Sequence, residues 1–96
     1  MSMRITVRIG DLFWRVADER QFELVMDDGA SAADVIARLA TVSPALAAEL
    51  LPGGVTRSGL PYHIFVNRRR VAEADLATRR LKDGDSVHIL SPTAGG

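Results

Sequence analysis

The sequence predicts one α+β domain of two layers, in which a main helix packs on one face of a mixed sheet of four to five strands. Hydrophobic residues alternate with polar ones in the N-terminal and C-terminal segments, which is typical of half-buried strands. A central segment instead repeats its hydrophobic residues at helical spacing. With 96 residues, the chain has room for a single domain.

Two strands are predicted near the N-terminus. Residues 3–9 alternate strictly between hydrophobic and polar side chains, and residues 21–26 form a second alternating run. Because the two runs are close along the chain, an antiparallel hairpin is their most economical pairing. The hydrophobic face of the two strands consists of Ile5, Val7, Ile9, Phe22, Leu24 and Met26.

A helix is predicted to follow the turn at residues 27–29. Ser31 has the side chain of a helix N-cap, and Asp34 three residues later completes a variant capping box in which Asp replaces Glu. Ser43 followed by Pro44 indicates a second cap, so the helix either bends or restarts there. The hydrophobic stripe consists of Ala32, Val35, Ile36, Leu39 and Ala40.

Short strands and turns are predicted in the second half of the chain. Residues 62–66 form a strand, and residues 70–72 pair back on it briefly. One helical turn is expected at residues 75–78, and the Asp-Gly pair at residues 83–84 predicts a turn.

The last predicted strand covers residues 86–90. Val87 and Ile89 face inward, and His88 and Leu90 lie on the opposite face. We expect a folded domain over residues 1–92 and a flexible tail over residues 93–96.

Composition excludes several classes of function. Twelve basic and twelve acidic residues give a formal net charge of zero, which argues against a nucleic-acid or membrane-surface binder. The absence of cysteine excludes disulfides, a cysteine-based zinc site and a thiolate nucleophile. Neither a membrane span nor a secretory signal is recognisable, so we expect a cytoplasmic protein.

The conventional catalytic residue types form no recognisable motif. The two histidines, His63 and His88, have no metal-ligand spacing, so we expect no metal site. Three consecutive arginines at residues 68–70 either bind an anion or an acidic partner, or are simply solvated. Trp14 is either a binding anchor or a cap on the core.

The C-terminal Gly95-Gly96 pair is the strongest chemical signal. At average glycine usage, two terminal glycines arise by chance in roughly one chain in 200. Residues without Cβ can thread a narrow channel and leave the terminal carboxylate sterically open. That carboxylate could attack the α-phosphate of ATP. A sulfur nucleophile would then yield a thiocarboxylate, and a lysine amine an isopeptide bond.

Segments along nearly the whole chain carry a resemblance to a known family. The most specific is Leu-Lys-Asp-Gly-Asp at residues 81–85, followed by a strand, Pro92 and the glycine pair. Residues 5–9, 28–31 and 65–67 add to it. The chain resembles the ubiquitin-like sulfur-carrier family, which includes the molybdopterin synthase small subunit and the thiamine sulfur carrier. The final block is similar to the molybdopterin synthase small subunit in particular.

This resemblance implies a β-grasp fold and a carrier role. Gly96 would be adenylated and then thiocarboxylated, and the chain would be a carrier and cosubstrate without a bound cofactor, possessing no enzymatic activity of its own. The implied partners are a ubiquitin-activating-type adenylyltransferase that supplies the ATP and magnesium site, a sulfur donor, and a sulfur-accepting enzyme such as the molybdopterin synthase large subunit. The implied partner-binding residues are Gly95, Ala94, Thr93, Leu90, Phe13 and Trp14.

Several positions depart from the family pattern. The loop at residues 52–61 is longer than in many members, Ser91-Pro92 replaces a common Pro-Pro, and Thr93 replaces a common Val. Asn67 is followed by Arg68, where the family often has Asn-Gly. A type I′ turn would place Arg68 at a positive φ, so we expect a longer or different turn.

Three interpretations of function remain open. The first is a sulfur carrier, most simply for molybdenum cofactor synthesis, with thiamine, cysteine and thiolated tRNA as other pathways. The second is a protein modifier, for which the single lysine, Lys82, favours mono-modification. The third is a β-grasp interaction module without activation chemistry, in which the glycines are incidental.

Overall fold

The architecture is a mixed sheet with helices on one face. The computed structural model describes residues 1–10, 21–50, 59 and 61–90. Within them, the strands are β1 (Ser2–Ile9), β2 (Gln21–Asp27), β3 (His63–Val66), β4 (Arg69–Val71) and β5 (Ser86–Leu90). The helices are α1 (Ala32–Val42) and α2 (Pro44–Glu49), and a short 3-10 helix covers Glu73–Asp75.

The described strands form one five-stranded sheet in the order β2-β1-β5-β3-β4. β1 and β2 pair antiparallel as the predicted hairpin. β5 runs parallel to β1 and antiparallel to β3, which in turn pairs antiparallel with β4. The predicted mixed sheet is therefore confirmed, and β5 occupies its centre.

A hydrophobic core lies between the inner sheet face and the helices. The inward positions of β1, β2 and β5 follow the predicted alternation, and α1 contributes Val35 and Leu39 to the same cluster. Branched aliphatic side chains fill such a core with well-defined rotamers. The largest fully buried side chains are Ile5, Leu39, Leu46, Ile89, Val7, Val35, Val66 and Val87.

Side-chain caps fix both helices where the sequence predicts them. The Ser31 hydroxyl accepts a hydrogen bond from the Asp34 amide at 3.2 Å, and the Asp34 carboxylate accepts one from the Ser31 amide at 2.8 Å. These bonds lower the pKa of Asp34. Ser43 caps α2 through the Leu46 amide at 3.4 Å, with Pro44 in the first turn. The helix thus restarts at Ser43.

The turn between β3 and β4 differs from the expectation. It contains only Asn67 and Arg68, with φ values of 48° and 73°, as a type I′ turn requires. The prediction of a longer or different turn is wrong, and β4 begins at Arg69 as a result. The Asn67 side chain makes hydrogen bonds to Asp85 and Ser86, and these stabilise the turn.

The remaining short helical segment begins two residues earlier than predicted. It covers Glu73–Asp75 and continues as a hydrogen-bonded turn, in which the Thr78 amide donates to the Asp75 carbonyl at 3.1 Å. The domain boundary predicted at residue 92 lies outside the described residues.

Candidate functional site: the end of the central strand and the outer sheet face

One of the predicted partner-binding residues, Leu90, lies within the described part of the chain. The other predicted partner-binding residues lie outside the described residues; they are Gly95, Ala94, Thr93, Phe13 and Trp14. Gly96, the residue expected to be adenylated and thiocarboxylated, lies outside them as well. The described part of the candidate site is therefore β5, the strand that precedes residues 91–96 in the sequence.

β5 is held firmly on both sides. Val87 and Ile89 are fully buried and pair with buried residues of β1 on one side and of β3 on the other. A central strand with two neighbours and a buried face is the least mobile position that a sheet offers. β5 therefore ends at a fixed point in the middle of the sheet.

Leu90 is the last residue of β5 and lies on the outer face, as predicted. It is 37% exposed, and its register partner on β3 is His63. This large aliphatic side chain thus leaves apolar surface accessible at the end of the central strand.

Gly10 lies directly against Leu90, a contact that the sequence reasoning missed. A Cβ at Gly10 would lie 2.8 Å from the Leu90 Cδ2 atom and 3.3 Å from the Ile89 carbonyl oxygen. The Gly10 amide also donates to that oxygen at 2.9 Å. The available signal was a glycine directly after a strictly alternating strand, which often marks a close backbone approach.

The turn before β5 ties that strand to β1. The Asp83 carboxylate accepts a hydrogen bond from the Arg4 amide, and the Asp85 carboxylate accepts one from the Lys82 amide, both at 2.8 Å. Gly84 adopts a φ of 87°, a conformation that favours glycine. The Asp-Gly-Asp run thus sets the position of β5.

Asn67 links the β3–β4 turn to the start of β5. Its side-chain amide nitrogen donates to the Asp85 carboxylate at 2.8 Å, and its side-chain oxygen accepts from the Ser86 amide at 2.9 Å. Its backbone amide donates to the Ser86 carbonyl at 3.0 Å. This positioning role was not predicted from the sequence.

His88 lies at the centre of the outer face, between Arg8 of β1 and Phe65 of β3. Its pKa is lowered by partial burial first, and then by the positive charges of Arg8 and Arg68. A depression of about 240 Å³ is lined by Arg8, Asn67, Arg68, Ser86 and His88. The outer face is therefore electropositive at its centre.

A second shallow groove, of about 530 Å³, lies between the end of β2 and α1. Its charged lining residues are Asp27, Asp28, Asp34 and Arg38. Asp34 belongs to the capping box, and Arg38 donates to the Val25 carbonyl at 3.4 Å. Two of these four charged side chains are thus engaged in structural hydrogen bonds.

The described residues lack the arrangements that a metal ion or a membrane-spanning helix requires. In this part of the chain, no group of three His, Asp or Glu side chains is placed to hold a metal ion. None of its helices has the length and hydrophobicity that crossing a membrane requires.

Comparison with known proteins gives consistent matches. Small archaeal modifier protein 3 of Haloferax volcanii is 29% identical over 94 residues, which cover 98% of this chain and 100% of that protein. A chain assigned as molybdopterin converting factor subunit 1 from Pyrococcus furiosus is 25% identical, with a TM-score of 0.75 over 96% of this chain and 100% of that chain.

A chain of the BexX/CysO complex from Amycolatopsis orientalis is similar in fold, with a TM-score of 0.73 and 24% identity over 96% of this chain and 99% of that chain. The model of the ThiS family matches residues 13–96, a range that includes the Gly-Gly pair. The β-grasp fold implied by the resemblance is thereby confirmed. The chain belongs to the ThiS family, within the ubiquitin-like small sulfur carriers and modifiers.

Proposed function

We propose that this chain is a sulfur carrier whose Gly96 carboxylate is adenylated, converted to a thiocarboxylate and used to donate sulfur in molybdopterin synthesis. The observation that carries the proposal is the Gly95-Gly96 pair inside the family match; this pair begins five residues beyond the end of the fixed central strand. This arrangement supplies a reactive carboxylate on a narrow segment without any catalytic side chain.

The chemistry places every bond change at the Gly96 carboxyl group. A terminal carboxylate has a pKa of roughly 3.3–3.7 and is ionised at neutral pH. Its oxygen attacks the α-phosphorus of ATP, and pyrophosphate leaves. A sulfide-level nucleophile from the sulfur donor then attacks the acyl carbon, and AMP leaves, so that a thiocarboxylate remains.

The partners carry out the catalysis. A ubiquitin-activating-type adenylyltransferase provides the ATP and magnesium site, and an enzyme such as the molybdopterin synthase large subunit accepts the sulfur, in the cytoplasm. Ala94 and Thr93 enter the partner's channel together with the two glycines. Leu90 supplies apolar docking surface, and Phe13 and Trp14 extend it.

Intact-protein mass spectrometry tests this function. After incubation with an activating enzyme, ATP and a sulfur source, the protein should gain the mass difference between sulfur and oxygen. A variant that lacks Gly96 should gain nothing. If the full chain supports neither this mass gain nor ATP–pyrophosphate exchange, the proposal is wrong, and the interpretation as an interaction module without activation chemistry is favoured.

The pathway is tested separately from the activation chemistry. The chain should restore cofactor synthesis to a strain that lacks its molybdopterin synthase small subunit, and it should co-purify with the large subunit. Failure of both, with thiocarboxylate formation intact, assigns the chain to another sulfur pathway, such as those of thiamine, cysteine or thiolated tRNA.

A second candidate function is protein modification. It is favoured by the relative that covers nearly the whole chain and is named a small archaeal modifier protein. Conjugates of higher mass that depend on Gly96 would support it. The exposed Lys82 is the single lysine of the chain, so a Lys82→Arg variant separates self-conjugation from attachment to other proteins.

A further inference from the structure

The outer sheet face carries a row of four residues on adjacent strands. The strand registers pair Arg8 with His88, His88 with Phe65, and Phe65 with Arg70. Since side chains alternate along each strand, these four side chains share one face. With strands about 4.8 Å apart, the two arginines at the ends of the row have Cα atoms about 14 Å apart.

A third arginine lies beside this row. Arg68 lines the same depression as Arg8 and His88, and its charge lowers the pKa of His88 together with that of Arg8. The type I′ turn holds the Arg68 backbone in place next to the start of β5. The outer-face arginines, as we call Arg8, Arg68 and Arg70, therefore surround His88 and Phe65.

The acidic strand residues on the described outer face are Glu23 and Asp27, both on the edge strand β2. Among the described outer-face positions of β1, β3, β4 and β5, none is acidic. On β2, at the edge of the sheet, Glu23 lies opposite Thr6. Asp83 and Asp85, near the start of β5, accept hydrogen bonds from Arg4, Lys82 and Asn67.

We propose that the outer-face arginines bind the carboxylates of an acidic segment of a partner protein, while its apolar side chains contact Phe65 and Leu90. The proposal rests on the proposed function in that it gives the chemistry of the partner that docks beside Leu90. Opposite charges across an interface increase the association rate and orient the complex.

The spacing of the charges favours an extended acidic peptide over a single phosphate group. Carboxylates three to five residues apart on an extended segment span about 10–17 Å, which matches the distance along the row. Phe65 lies between the arginines and is half-buried, so a segment that crosses the row also meets apolar surface. A free phosphate would use the charges and leave this surface exposed.

A peptide titration followed by NMR tests the proposal on the intact chain. The ¹⁵N-labelled protein is titrated with hexaglutamate, with hexaglutamine as the uncharged control, at low and at high salt. Hexaglutamate should shift the amide signals of Arg8, His88 and Arg68, and its affinity should fall as salt is added. Hexaglutamine should cause no such shifts.

Neighbouring arginines on β4 provide the matched pair of variants. Arg69 and Arg70 are both exposed. Arg69 pairs with the inward-facing Val66, so its side chain leaves the strand on the inner face of the sheet, opposite to that of Arg70. Arg70→Gln and Arg8→Gln should each weaken hexaglutamate binding roughly two- to fivefold, and Arg69→Gln should not. Dispersed spectra of all three variants would show that they are folded.

The contrary outcomes are distinct. Equal weakening by Arg69→Gln and Arg70→Gln would overturn the proposal, because binding would then follow total charge. Inorganic phosphate or oligouridylate that binds more tightly than hexaglutamate would also overturn it, in favour of a phosphate-binding face. The titration requires no activating enzyme. A chain that binds hexaglutamate as expected but is never adenylated would retain the acidic-segment surface and refute the proposed function.

Discussion

Asn67 offers a quantitative test of how the β3–β4 turn and β5 depend on each other. Its side chain makes two hydrogen bonds, to the Asp85 carboxylate and from the Ser86 amide, and its φ is 48°. Each bond contributes about 0.5–1.5 kcal/mol to stability. Asparagine also tolerates the left-handed conformation, which costs most other residues about 1–2 kcal/mol.

We therefore expect Asn67→Ala to lower the free energy of unfolding by about 2–4 kcal/mol, because it loses both bonds and the favourable backbone preference. Asn67→Gly is the matched control, since glycine adopts a positive φ without strain and loses only the bonds and some chain entropy. Its loss should be smaller by about 1 kcal/mol.

Urea unfolding followed by circular dichroism measures both differences. In a domain of about 100 residues, 2 kcal/mol corresponds to a decrease in Tm of roughly 8–16 °C. If Asn67→Ala unfolds within about 0.5 kcal/mol of the wild type, the reasoning fails, since surface changes without a structural role commonly fall in that range. A loss as large in Asn67→Gly as in Asn67→Ala would assign the whole effect to the side-chain bonds.

Three further predictions concern the outer face. Leu90→Asp should raise the KM for adenylation and leave the Tm within a few degrees of the wild type; an unchanged KM would show that Leu90 is not part of the docking surface. Gly10→Ala should displace the Leu90 methyl groups and raise the KM for adenylation. In a Leu90→Ala background, the same Gly10→Ala change should have little further effect on this KM. An equal effect in both backgrounds would contradict the contact between Gly10 and Leu90. The pKa of His88 is lowered in the folded chain, so near pH 6.5 and somewhat below it the unfolded chain binds more protons. Stability should therefore fall as the pH drops through that range. Urea unfolding at several pH values should show that His88→Gln flattens this dependence, and an unaltered slope would exclude His88 as its source.

The fold was predictable because its signals are local. Strict alternation in residues 3–9 and the Ser31 and Ser43 caps each require only a few neighbouring residues, and the structure confirms them. The position of Leu90 on the outer face follows from the same alternation within β5. Predictions of this kind succeed because the backbone groups and side chains that decide them lie within one turn or one strand.

The error at the β3–β4 turn has the opposite cause. The strain of a positive φ at Arg68 is a local quantity, and it alone favours a different turn. The compensating bonds join Asn67 to Asp85 and Ser86, which are 18 and 19 residues away along the chain. Tertiary contacts of this kind can be recognised only once the register of β3 against β5 is known.

The site shows the same division between local and non-local information. The contact between Gly10 and Leu90 and the row from Arg8 to Arg70 both depend on β5 entering the sheet between β1 and β3. Arg8, the segment 65–70 and His88 are far apart in sequence. The arginine run at residues 68–70 is visible in the sequence, but its position beside Arg8 and His88 is not.

A net charge of zero is a sum over the whole surface, and the sheet topology determines how that sum is distributed. Here Arg8 and Arg68 flank His88, and Arg70 lies two strands away beyond Phe65. Among the described residues, β1, β3, β4 and β5 present no acidic residue on this face, and the acidic outer-face positions lie on the edge strand β2. Neutrality of the chain still argues against long-range attraction to nucleic acid. It does not argue against a short-range preference for carboxylates, because screening confines such contacts to about 10 Å. Exposed charge pairs contribute little affinity each and orient the complex, so a surface of this kind suits reversible binding.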